Sequence, residues 1–179
     1  MQSSVIVPPS LTFSDSLTLF DGNRQIQFSY YGSGHTSGDL VVYIPQDKVL
    51  ITGDLVHDYE PLFWNADPDQ WTQTLNKIKQ IDFDYFIGGH GGSHKGKEII
   101  QLWQNYMEEL KAKTLEAIKD GLTLEVFLNK IRLASFVSLQ NGYGDRIQKF
   151  RTSFMEYWTG PLLDAVKDEI SYLWRYYTQ

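Results

Sequence analysis

One construction appears three times in the first half of this chain: a run of β-forming residues, a glycine, then a side chain able to bind metal. Gln25-Ile-Gln-Phe-Ser-Tyr-Tyr31 leads to Gly34-His35-Thr36-Ser37-Gly38-Asp39, Lys48-Val-Leu-Ile-Thr52 leads to Gly53-Asp54, and Asp84-Tyr-Phe-Ile87 leads to Gly88-Gly89-His90-Gly91-Gly92. Glycine lets the backbone turn tightly at each of these points. Three strands thus carry imidazole, carboxylate and imidazole at their C-terminal ends. Ligand sites of α/β sheets gather at that edge, where loops converge while the strands hold them rigid.

The remaining pattern fits a sheet followed by helices. Asp21-Gly22-Asn23 between Ser16–Phe20 and Gln25–Tyr31 is a hairpin signal. Leu40–Ile44 and Lys48–Thr52, joined through Pro45-Gln46-Asp47, are apolar almost continuously and read as central strands covered on both faces. Asp67 as N-cap, Pro68 as N1 and Gln70 as N3 open a helix that carries Trp71, Leu75, Ile78 and Ile81 on one stripe. Past His90 the chain reads as helical throughout. An amphipathic helix from Ile99 through Leu110 runs to a stop at Gly121, Thr123 caps a shorter one, and Asp145–Trp158 and Pro161–Tyr177 form two more. Residues 1–13, polar and Pro-containing, read as a leader or edge segment. A strand-rich region, 1–97, precedes a helical tail, 98–179, with no linker long enough to divide them, so the expectation is one α/β (α+β) domain over 1–179.

Composition narrows the partners. A chain of 179 residues with 42% hydrophobic content can build a real core. The net charge of −6 and the lack of any Lys/Arg cluster argue against nucleic acid. There is no cysteine, so a metal would be held by nitrogen and oxygen alone. No run approaches the roughly 20 apolar residues that span a bilayer, and no signal peptide is visible, so a soluble chain without a membrane is expected and its compartment stays open. Tyr157, Trp158, Tyr172, Trp174, Tyr176 and Tyr177 read as packing or interface. Gly-x-Ser-x-Gly, Walker and dinucleotide motifs are absent.

The three motifs in order, continued by Asp54-Leu-Val-His-Asp-Tyr-Glu-Pro-Leu-Phe-Trp64, the helix opening at Asp67-Pro68 and the helical tail, resemble the second half of the metallo-β-lactamase-fold hydrolases. The resemblance implies half of an αβ/βα sandwich, a mixed sheet with a helical C-terminal tail. It implies zinc or iron held by His35, Asp54 and His90, with Asp54 shared between two metals and the histidines serving different ones. It also implies hydrolysis of a small ester, thioester or amide, with Asp54 as the catalytic carboxylate. The family's His-x-His-x-Asp-His loop is missing, because the four histidines are His35, His57, His90 and His94. Two expectations follow from different classes: a truncated hydrolase with an incomplete site, or a non-catalytic truncated homologue or split half. A lone half would expose a sheet face or edge, so a homodimer or a separate N-terminal half is expected to cover it.

The neighbouring residues carry alternatives. Asp39 either accepts the second N–H of His35, as carboxylates do around zinc, or caps the next turn. Asp54, if buried, needs a cation or several donors. His57 and His94 are spare histidines, within reach of the site mouth or on the surface. Phe63 and Trp64 wall the substrate mouth or pack beneath the helical tail.

Overall fold

The computed structural model describes residues 7–57, 61–63, 66–135 and 162–179. A two-residue turn at Gly22-Asn23 joins β1 (Ser16–Asp21) to β2 (Arg24–Ser29), with Leu17 opposite Phe28 and Leu19 opposite Ile26. β3 (Val41–Ile44) and β4 (Val49–Gly53) add antiparallel neighbours. β5 (Tyr85–Gly88) lies parallel to β4, reached by a crossover that contains helix α1 (Pro68–Ile78), as a parallel pair requires. The sheet order is β1-β2-β3-β4-β5-β6. Since β2, β4 and β5 run in one direction, their C-terminal ends share one edge of the sheet.

The last strand corrects the expectation of continuous helix after His90. Ser93–Lys95 forms β6, antiparallel to β5, and helix α2 begins only at Glu98. Three residues reading Ser-His-Lys carry no apolar alternation. The strand exists because the glycine-rich loop folds the chain back onto β5.

α1 starts as its sequence signals: Asp67 accepts from the Gln70 N–H at 3.0 Å, Pro68 opens the helix, and Trp71, Leu75 and Ile78 are fully buried. α2 (Glu98–Lys119) buries Ile100, Trp103, Tyr106 and Leu110, and ends where Gly121 takes a left-handed φ of 69°. Thr123 caps α3 (Leu124–Lys130), and α4 (Leu162–Thr178) packs against α2 and α3. The expected helix at 145–158, the loop at 141–144, Tyr157 and Trp158 lie outside the described residues. The aromatics of α4 are packing groups: the Tyr172 hydroxyl donates to Ala66 O at 2.7 Å, that of Tyr177 donates to Asp69 at 2.6 Å, and Trp174 meets Phe127. Among the described residues, no helix is long and apolar enough to cross a membrane.

Register sorts the strands into two unlike faces. Leu50, Phe86 and His94 align on the buried side, under the helices. Phe28, Val42, Ile51 and Ile87 align on the other, where Ile87 is 42% and Tyr85 46% exposed. In β3 and β4 the expectation of two covered faces holds fully for one face only, since Val42, Ile44, Val49 and Ile51 on the other are half-buried rather than buried. Their apolar residues do point both ways, but among the described residues a helical layer lies on one side only.

Glu109 of α2 ties down the chain leaving α3. Its partial burial would raise the carboxyl pKa, but the Ser135 hydroxyl and N–H, the Ala134 N–H and Lys113 offset this and hold it at about 2. A depressed carboxyl stabilises the fold above its unfolded pKa, and that stability is lost as pH falls from the ordinary carboxylate range toward 2. Glu109→Gln is expected to cost about 1–3 kcal/mol at pH 7 and to flatten the acid limb of a stability-versus-pH curve. An unchanged acid limb would contradict this role.

Candidate metal centre

His35 lies in the loop between β2 and β3, packed into place from below. Gly34 sits so close to Leu55 and Trp71 that a Cβ would come within 2.4 Å of Leu55 Cδ2 and 2.8 Å of Trp71 Cδ1. The His35 ring then rests against the buried Trp71 indole, with centroids 5.8 Å apart. Its Nδ1 lies 3.1 Å from Leu62 O. A carbonyl oxygen only accepts, so Nδ1 carries the proton, and in the neutral ring Nε2 is left as the lone-pair nitrogen. Nε2 stands 3.9 Å from Asp54 Oδ2. Of the two roles open to Asp39, the structure has the turn cap: its carboxylate accepts the Thr36 N–H and, at 2.7 Å, the Thr36 hydroxyl.

Asp54 turns away from the end of β4 in a segment held by several ties. Gly89 N–H donates to Gly53 O at 2.8 Å, and the buried Thr52 hydroxyl lies 3.1 Å from Val56 O and 3.3 Å from Ile87 O. The carboxylate occupies the space that a side chain on residue 89 would fill, since a Cβ there would lie 2.0 Å from Asp54 Oδ1. Hence the paired glycines before His90. The His90 Nε2 is 3.3 Å from the same Oδ1. One carboxylate is thus flanked by two imidazoles, each facing a different oxygen, with side chains 23% (His35), 35% (Asp54) and 41% (His90) exposed.

The spare histidines are not on the surface. His57 is fully buried, its ring 5.6 Å from that of His90 and 4.7 Å from Trp103. Burial, then the nearby His90 and His35, push its pKa well below the usual histidine range, so its ring is neutral at physiological pH. His94 sits back along β6, stacked on Phe86 at 4.8 Å and away from the sheet edge. Phe63 is buried against Trp71 and Tyr172, which places it beneath the tail rather than at a mouth. Trp64 lies outside the described residues. The two tryptophans under the site, Trp71 and Trp103, are legible in the sequence only as apolar helix positions. Their helical spacing marks them as core, and nothing in the sequence says which imidazoles they touch.

The metallo-β-lactamase superfamily profile matches residues 2–90, the segment that ends on His90. The chain belongs to the metallo-β-lactamase superfamily. A linear primary-alkylsulfatase of Pseudomonas sp. is 24% identical over 144 residues, covering 73% of this chain and 27% of that protein. A type 2 metallo-β-lactamase of Bacteroides fragilis is 31% identical over 99 residues, covering 52% of this chain and 39% of that protein. The chain therefore spans well under half the length of these relatives. In three dimensions a stereoselective inverting sec-alkylsulfatase of Pseudomonas sp. shares the fold at a TM-score of 0.63, with 17% identity over 86% of this chain and 27% of that one.

For a superfamily member, the donor set matters most. Two imidazole nitrogens and one carboxylate suit a borderline cation such as zinc, the carbonyl contact of His35 is the usual support of a ligating imidazole, and Gly89 leaves the carboxylate its room. Among the described residues, however, no three His, Asp or Glu side chains surround a single point. Each oxygen of the Asp54 carboxylate faces one imidazole, His35 at 3.9 Å and His90 at 3.3 Å. The described residues complete no metal shell.

Proposed function

We propose that this chain provides the Asp54-centred half of a two-zinc hydrolytic site, with His35 serving one ion, His90 the other, and Asp54 both. The single observation that carries the reading is the placing of two imidazoles against opposite oxygens of one strand-tip carboxylate. Zinc held there would supply Lewis acidity, polarising the scissile group and making water more acidic. The chain's own residues orient and make room: Leu62 O fixes the His35 tautomer, Gly89 admits the carboxylate, and the buried tryptophans keep solvent from the underside of the site. The substrate class is a small ester or amide. The names of the relatives, a sulfatase and β-lactamases, favour a sulfate ester or a lactam within that class. The remaining ligands come from a further αβ unit that packs on the sheet face of Phe28, Val42, Ile51 and Ile87, which no helix of the described residues covers and whose apolar character is of the kind that marks an interface.

That same face favours a second reading, a non-catalytic member that pairs with another copy of itself. Metal analysis with native mass measurement separates the two. Zinc retained by the purified chain and lost in His90→Ala supports the hydrolase half-site, and a metal-free homodimer that hydrolyses neither a lactam nor a sulfate ester sinks it.

A further inference from the structure

Beneath Asp54 the aromatic rings form a continuous arc from one candidate ligand to the other. His35 meets Trp71 at 5.8 Å, Trp71 meets Trp103 at 5.7 Å, Trp103 meets His57 at 4.7 Å and His57 meets His90 at 5.6 Å, with interplanar angles of 65°, 70°, 86° and 89°. Every step is edge-to-face, the orientation that the ring quadrupoles favour. The three interior rings are wholly buried, while the two end rings are partly open to solvent. The backbone reinforces the arc at its His90 end. A Cβ on Gly88 would meet Val56 O at 2.5 Å and His57 Cα at 2.9 Å, so the segment bearing His57 is wedged against the loop bearing His90.

We propose that His57 is a positioning residue, its ring held edge-on between Trp103 and His90 so that it sets the direction of the His90 imidazole toward Asp54. The half-exposed His90 sits in a loop of four glycines, which by itself fixes no side-chain direction. Trp71 does the same for His35, whose loop is also glycine-flanked. An imidazole that is aimed before its ion arrives loses less freedom on binding, which is the general advantage of preorganised ligands. This proposal rests on the half-site reading for its consequence, though its geometry does not.

The test uses the full chain and two readouts. In metal-free protein, the His90 ring proton shifts are expected to be displaced and dispersed by the His57 ring, to collapse toward free-histidine values in His57→Ala, and to stay dispersed in His57→Phe, which keeps a ring in the gap. In zinc titrations against a chromophoric chelator, His57→Ala is expected to bind about 10-fold more weakly, with His57→Phe restored to within about threefold of the parent. Equal loss in His57→Ala and His57→Phe would make His57 a ligand and overturn the positioning role, as would unchanged His90 shifts in His57→Ala. His90→Ala serves as the separate control: if it binds zinc like the parent, the half-site reading fails, and the metal-free shifts alone then decide the positioning claim.

Discussion

Gly89→Ala is expected to strip zinc from the Asp54 cluster while the chain stays folded. The added methyl would lie 2.0 Å from Asp54 Oδ1 and 3.0 Å from both its Cγ and its backbone nitrogen. The carboxylate is the far end of a rotatable side chain and can swing away, whereas the backbone cannot. Residue 89 carries none of the left-handed φ values that burden a side chain with strain, so folding should suffer little. The carboxylate, once rotated, no longer faces both imidazoles. The expected loss is on the order of 100-fold in zinc affinity, with the thermal midpoint moved by only a few degrees. A variant that binds zinc as tightly as the parent would mean that Asp54 does not need this position.

Trp71→Ala should bring the largest loss of stability. The indole is fully buried, touches Trp103, Phe63 and His35, and donates its N–H to Leu55 O at 3.2 Å, so one side chain joins α1, α2, the His35 loop and the Asp54 turn. Truncating a buried aromatic of this kind costs about 3–5 kcal/mol. Trp71→Phe keeps a ring but orphans the carbonyl, and should cost about 1–3 kcal/mol. Urea unfolding reads both as lowered midpoints at constant slope. A loss under 1 kcal/mol for alanine would show that the site floor repacks without this ring.

The elements that were legible are those with local chemistry. The Gly22-Asn23 turn, the Asp67-Pro68-Gln70 helix start and the Gly121 stop each depend on a few adjacent residues, and each is where its pattern places it. The strand tips bearing His35, Asp54 and His90 were legible because parallel running strands share an edge. What escaped was decided by distant contacts. β6 forms because β5 is beside it, not because Ser-His-Lys favours a strand. His57 is buried because the turn after Asp54 presses it onto Trp103, and a histidine carries no sequence mark of burial. Leu62 O, which orients His35 in place of Asp39, is a backbone atom 27 residues away and no side-chain pattern reveals it. The near-continuous apolar run in β3 and β4 correctly gives apolar residues on both faces, yet sequence alone does not say which layer covers each.

Anomalous diffraction from zinc-soaked crystals of this chain tests the central claim most directly. The expected map has two zinc peaks flanking the Asp54 carboxylate, one within bonding distance of His35 Nε2 and the other of His90 Nε2. A single peak bound by both imidazoles, or no peak beside Asp54 at saturating zinc, would contradict a carboxylate shared between two ions.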